Sequence, residues 1–134
     1  MTAPPLAHMT KTLLLLAVLA VALLAGYRMF VGGASVPAAE AVAAIEDGAT
    51  VVDVRRAGEY ASGHVAGALH ADVLADGFEQ KVAGLDRSEP VYLYCASGVR
   101  SGRAARVLEG MGFERVVNAG GFGDLAAAGA PVER

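Results

Sequence analysis

Hydrophobic and polar positions divide the chain into an apolar lead, a short small-residue stretch and a long alternating region. The lead is a run of thirteen residues, Leu13 to Ala25, containing only Leu, Ala and Val. A weakly basic segment with His8 and Lys11 precedes it, and Gly26-Tyr27-Arg28-Met29-Phe30-Val31 follows. Thirteen apolar residues suit a signal-peptide core, whereas a membrane-spanning helix needs about 20. Extension to Val31 supplies that length, with Tyr27 at the interface and Arg28 snorkelling towards it. Residues 1–31 are therefore expected to form a single transmembrane anchor, or else a cleaved signal. Cleavage sites of suitable small residues lie at Gly32-Gly33-Ala34 and Val36-Pro37-Ala38. Either reading puts Ser35 onward outside the cytoplasm: as a single-pass protein of the cytoplasmic membrane, or in the periplasm after cleavage.

Residues 32–36 read as a linker, and residues 37–134 as one domain. Pro37 fits the first turn of a helix carrying Ala39, Val42, Ala43 and Ile45, which ends at Asp47-Gly48. Thr50 to Val54 is a β-branched run apt for a buried parallel strand. A polar helical turn around Glu59-Tyr60 is broken by Gly63; Ala68 to His70 is a very short strand, and Val73 to Val82 a helix. Val91 to Tyr94 is the next strand. Arg100 to Met111 places Ala104, Val107, Leu108 and Met111 on one helical face. Arg115 to Val117 is a further strand, Gly120-Gly121 a turn, and Asp124 to Ala128 a last short helix. This alternation predicts an α/β fold, a small parallel sheet with helices on both faces, preceded by one hydrophobic helix.

Charge narrows the functional classes. Of the 11 Lys and Arg residues, Lys11 and Arg28 precede the domain, leaving nine against all 14 acids. So acidic a domain lacks the basic patch that nucleic-acid binding calls for. The single cysteine, Cys95, excludes an internal disulfide, a Cys-x-x-Cys redox pair and a Cys-rich zinc site, and His70 stands too isolated to hold a metal. Cys95 is thus either a small buried hydrophobe or a reactive thiol.

Its surroundings favour the thiol. Strand Val91–Tyr94 runs into Cys95-Ala96-Ser97-Gly98-Val99-Arg100, where a helix begins. A residue at the carboxyl end of a parallel strand stands where open α/β sheets place their sites. Small loop residues let backbone N–H groups turn inward as an anion nest, and the helix aims its positive end at the same point. Arg100 adds a cation with a planar fork of donors. All three effects favour thiolate, so Cys95 is expected to ionise readily and to serve sulfur or phosphoryl transfer.

From about Pro37 to Glu133 the chain resembles the single-domain rhodanese-like (thiosulfate sulfurtransferase) family. VVDVRRAGEYASGHVAGALHADV (51–73) is similar to its D-V-R and E-[FY]-x-x-G-H-[IV]-x-G-A signature, VYLYCASGVRSGRAARVLEGMGF (91–113) to its active-site loop and helix, and NAGGFGDLAAAGAPVE (118–133) to its C-terminal turn. The resemblance implies catalysis by Cys95 through a persulfide. Ala96, Ser97, Gly98, Val99 and Arg100 would bind a small sulfur-containing anion, and cyanide or a thiol would accept the sulfur. It implies no cofactor and names no protein partner. Asp53, Arg55 and His64 are expected as structural residues near the site, with Glu59 in the same network; Ser97 and Ser101 are candidate hydrogen-bond donors.

Two departures from the family pattern stand out. Ala96 occupies the place where many members carry a second Arg, and no Trp follows the Gly-Gly turn, so that Leu125 or Phe122 is expected to fill its space. Four residues separate Cys95 from Arg100, where related cysteine phosphatases have five and usually a His before the Cys; here it is Tyr94. The expected function is therefore sulfur transfer. A non-enzymatic persulfide carrier or protein-binding module is the alternative.

Overall fold

The computed structural model describes residues 6–30 and 33–134, with side chains for 9–23 and 33–134. The chain divides into two compact units, Met1–Val31 and Gly32–Arg134.

The first unit contains helix α1 (Leu6–Phe30). Its described apolar side chains, including Leu13 to Leu16, Val18, Leu19, Val21 and Leu23, are exposed. The expected anchor requires correction: among the described residues no helix is long and apolar enough to cross a membrane. The uninterrupted apolar run stops at thirteen residues, short of the roughly 20 a span requires. The single-pass placement in the cytoplasmic membrane falls with it. The side chains of Tyr27 and Arg28, and Gly32 of the first expected cleavage site, lie outside the described residues.

The second unit is a five-stranded parallel sheet in the order β1-β6-β5-β2-β4. Its strands are β1 (Ala34–Ser35), β2 (Thr50–Asp53), β4 (Leu69–His70), β5 (Val91–Cys95) and β6 (Val116–Gly121). A two-stranded antiparallel ribbon joins β3 (His64–Val65) to β7 (Val132–Glu133). Helices α2 (Ala38–Glu46) and α6 (Phe122–Ala127) supply Ala41, Val42, Ile45 and Leu125 to one core, with Val51, Tyr94 and Ala119 of the sheet. Helices α4 (Phe78–Val82) and α5 (Val99–Gly110) supply Phe78, Val82, Ala104, Ala105 and Leu108 to the other, with Val52, Leu93 and Cys95. The period-two alternation of a strand decides which core each residue enters. Tyr94 therefore points towards α2 and α6, and Cys95 towards α5.

The architecture is the expected one, and several boundaries move. The stretch expected as linker contains β1, in register with Val117 and Asn118. Gly33 is needed there, because its φ is +69° and a Cβ would lie 2.8 Å from that of Ala105. Its N–H donates to Glu109 Oε1 at 2.9 Å. The helix expected from Val73 forms only at Phe78: Asp72 Oδ1 instead accepts the Leu74 N–H at 2.9 Å, closing a turn, and Gly77 enters at φ +87°. Gly120 and Gly121, expected as a turn, are the end of β6, where Gly121 stands opposite Cys95 after a register shift. The short helix α3 (Ala57–Ala61) forms where the polar turn was expected.

Candidate active site

Cys95 closes β5, and its side chain is fully buried. The chain then turns through Ala96 and Ser97 to Gly98, whose φ of +92° opens the way into α5. That left-handed backbone costs a Cβ-bearing residue about 1–2 kcal/mol. A Cβ on Gly98 would also press on Gly120 Cα at 3.3 Å, and one on Gly121 would meet the Ala96 carbonyl oxygen at 2.5 Å. Glycines of β6 thus let the loop lie flat against the neighbouring strand.

The turn gathers donors on the sulfur. The Gly98 N–H donates to Cys95 Sγ at 3.0 Å, and the Ser101 hydroxyl stands 3.5 Å away. Burial pushes the thiol pKa up. The Ser101 hydroxyl and the backbone N–H groups of Ser101, Ser97 and Gly98 outweigh it, so the net direction is down. The expectation of an easily ionised thiol agrees in direction; the hydrogen bonds at the head of α5 are its main cause, and Arg100 also acts on the sulfur electrostatically.

Arg100 is otherwise engaged. Its Nη1 and Nη2 donate to Glu59 Oε2 and Oε1 at 2.8 and 2.9 Å, a bidentate fork. Glu59 Oε2 also accepts the Arg56 N–H at 3.1 Å, bracing the start of α3. The Arg100 fork, with that backbone N–H, lowers the Glu59 carboxyl to about 2. Glu59 of α3 therefore hydrogen-bonds the end of the Cys95 loop through Arg100, and its tie to the expected Asp53–Arg55 network is electrostatic, through Arg55.

That network is buried. Arg55 Nε donates to both Asp53 oxygens at 3.0 Å, and its Nη2 donates to Asp53 Oδ2 and to the Gly63 carbonyl, each at 2.6 Å. Tyr94 donates its hydroxyl to Asp53 Oδ2 at 2.7 Å and accepts the Val65 N–H at 3.0 Å. The guanidinium lies 4.4 Å from the Phe122 ring centroid, and Leu125 is fully buried in the same core. His64 stacks on Tyr60 at 3.7 Å, with Nδ1 2.9 Å from the Tyr60 carbonyl and Nε2 3.3 Å from Glu133. These contacts hold the β2 end and the ribbon together.

Asn118 was missed by sequence reasoning. Its Nδ2 donates to the Gly98 carbonyl at 3.0 Å; its Oδ1 accepts the Gly120 N–H at 3.0 Å and the Ser101 hydroxyl at 2.7 Å. It ties β6 to Gly98 of the Cys95 loop and to Ser101 of α5. The only available signal was an amide two residues before Gly120-Gly121, which reads as ordinary turn chemistry.

A strand-end cysteine whose sulfur accepts the Gly98 N–H, on a parallel sheet covered on both faces, defines an α/β domain with a candidate thiol site. The profile of the Rhodanese-like domain family matches residues 37–128, and the chain belongs to that family. It is 39% identical over 75 residues to the uncharacterized protein YqhL of Bacillus subtilis, covering 55% of this chain and 58% of YqhL. It is 36% identical over 75 residues to the thiosulfate sulfurtransferase PspE of Escherichia coli, covering 56% and 72%. To the putative sulfur carrier protein YrkF of B. subtilis it is 32% identical over 73 residues, spanning 54% of this chain and only 38% of YrkF. Among solved structures, the rhodanese with anions from E. coli superposes with a TM-score of 0.55 at 32% identity, covering 63% of this chain and 96% of that one.

Proposed function

We propose that the domain is a sulfurtransferase working through a persulfide on Cys95. The thiolate attacks the outer sulfur of thiosulfate or a similar sulfane donor; the donor's S–S bond breaks as the Cys95 Sγ–S bond forms, and sulfite leaves with the bonding pair when thiosulfate is the donor. The outer sulfur of the persulfide then passes to cyanide or a thiol, restoring the thiolate. Ala96 to Val99 supply the loop that faces the bound anion, and Arg100 fixes the loop's far end. The observation that carries this reading is the pair of donors on Cys95 Sγ, the Gly98 N–H at 3.0 Å and the Ser101 hydroxyl at 3.5 Å. Such donors stabilise the thiolate and, equally, the persulfide anion.

The test is thiosulfate-dependent formation of thiocyanate from cyanide, with intact mass read in parallel. The native chain should gain one sulfur atom on incubation with thiosulfate and turn over repeatedly, whereas Cys95→Ser should do neither. No thiocyanate and no mass gain in the native chain would remove the reading. Likeness to a putative sulfur carrier, together with Ala96 in place of a second loop cation, supports a second reading: a carrier that loads once and delivers only to a partner. One sulfur per Cys95 with no turnover onto cyanide or small thiols would select it.

A further inference from the structure

An open cavity of about 370 Å³ lies between the turn that leads into α4 and the flank of α5. The chain enters α4 through Gly77, at φ +87°, rather than as a continuous helix from Val73, and the gap beside α5 stays unfilled. Val73 and Phe78, both buried, and the half-buried Val107 supply its apolar lining. Its charged residues are divided by sign: Asp76 and Glu79 come from the α4 side and Arg103 from α5, all three exposed. Among the described residues none of the three is engaged in an ion pair or a side-chain hydrogen bond. Elsewhere the domain pairs such groups directly, Arg55 with Asp53 and Arg100 with Glu59. Here an acidic wall and a basic wall face one cavity without meeting, and its volume falls in the range of small-ligand sites.

That pattern selects a class of ligand. A simple anion would be repelled by Asp76 and Glu79, and a simple cation by Arg103. A zwitterion satisfies both walls, because its ammonium donates to carboxylates while its own carboxylate accepts the planar guanidinium fork. We propose that the cavity is a binding site for a small zwitterion carrying an α-amino-acid group. Asp76 and Glu79 hold its ammonium, Arg103 holds its carboxylate, and its side chain lies towards Val73, Phe78 and Val107. None of these residues belongs to the loop from Cys95 to Arg100, and occupancy of the cavity needs no sulfur chemistry. The site therefore stands or falls apart from the sulfurtransferase reading.

The experiment titrates the isotope-labelled native chain with three probes and follows its backbone amides by NMR. The probes are L-methionine, L-methioninamide, which lacks the carboxylate, and N-acetyl-L-methionine, which lacks the ammonium. L-Methionine should shift the amides of residues 75–80 and 103–107 in a saturable way. Each analogue should bind about fivefold more weakly, the scale of one exposed ion pair. Arg103→Gln should weaken L-methionine by the same factor without weakening L-methioninamide, which has no carboxylate to lose contact. The double variant Asp76→Asn, Glu79→Gln should weaken L-methionine without weakening N-acetyl-L-methionine. All three positions are exposed, and the spectrum of each variant reports its fold directly. No saturable shift at these amides, equal affinity for the three probes, or variants that weaken all probes alike would overturn the zwitterion site.

Discussion

Ser101 has one hydroxyl proton and two acceptors within reach, Asn118 Oδ1 at 2.7 Å and Cys95 Sγ at 3.5 Å. The amide orientation of Asn118 is fixed by the Gly120 N–H on one side and the Gly98 carbonyl on the other. In the thiol state the hydroxyl therefore donates to Asn118 and leaves a lone pair facing the S–H. On ionisation the proton can turn to the sulfur, while Asn118 Oδ1 keeps Gly120 as donor. Ser101→Ala removes that response. A hydrogen bond to a charged group contributes about 1.5–3 kcal/mol, so the midpoint of Cys95 alkylation against pH should rise by roughly one to two units. In the native chain the rate should increase with pH and level off below the ordinary thiol range, because the amide nest already lowers the pKa. A midpoint unmoved by the substitution would show that backbone donors alone hold the thiolate. Cys95 was legible in the sequence because its signal is local: a strand, small loop residues and a helix, all within a few positions. Glu59 and Asn118 were not, since their partners lie 41 and up to 20 residues away and meet them only through strand order.

Between elements, close backbone approach and a buried ion pair do different work. Gly121 of β6 lets the Ala96 carbonyl lie where a Cβ would stand 2.5 Å from it, and backbone on both sides leaves little room to yield. Gly121→Ala should push the Cys95 loop away from β6 and depress Cys95 alkylation more than it depresses stability. Asp53→Asn should behave in the opposite way. It leaves Arg55 buried without its counter-charge, a change that costs about 3–5 kcal/mol when one partner of such a pair is removed. The thiol nest is formed by other residues, so alkylation of the remaining folded protein should keep its native pH midpoint. Denaturant melts and alkylation profiles of the two variants separate these outcomes. The sequence placed Asp53 and Arg55 at a strand end but could not pair the residues that close their network. Tyr94 reaches Asp53 because β2 and β5 lie in register, and Val65 reaches Tyr94 through a ribbon whose second strand is at Val132.

At the scale of the whole molecule, the edge of the sheet and the reactive sulfur are joined through one residue. Strand β1 pairs Ser35 with Asn118, and the Val36 N–H donates to the Asn118 carbonyl at 3.4 Å. The main chain of Asn118 thus braces the sheet edge, while its side chain holds Gly98 and Ser101. Small residues with no hydrophobic period made 32–36 read as a linker, and nothing in so short a segment announces an edge strand. The distinction is testable with two shortened chains, one beginning at Gly33 and one at Pro37, which differ only in Gly33 to Val36. The shorter lacks the β1 ladder, the Gly33 contact with Glu109 and the packing of Gly33 on Ala105. Net hydrogen-bond contributions of about 0.5–1.5 kcal/mol each put the loss near 1–3 kcal/mol. For a domain of this size each kcal/mol lowers Tm by roughly 4–8 °C. A linker would give equal melting temperatures. If β1 braces the site as well as the sheet, the Pro37 chain should also alkylate at Cys95 with a raised pH midpoint, because a loosened Asn118 no longer holds Gly98 and Ser101 against the sulfur. A lower Tm with an unchanged midpoint would confine β1 to stability and leave the loop anchored by β6 alone.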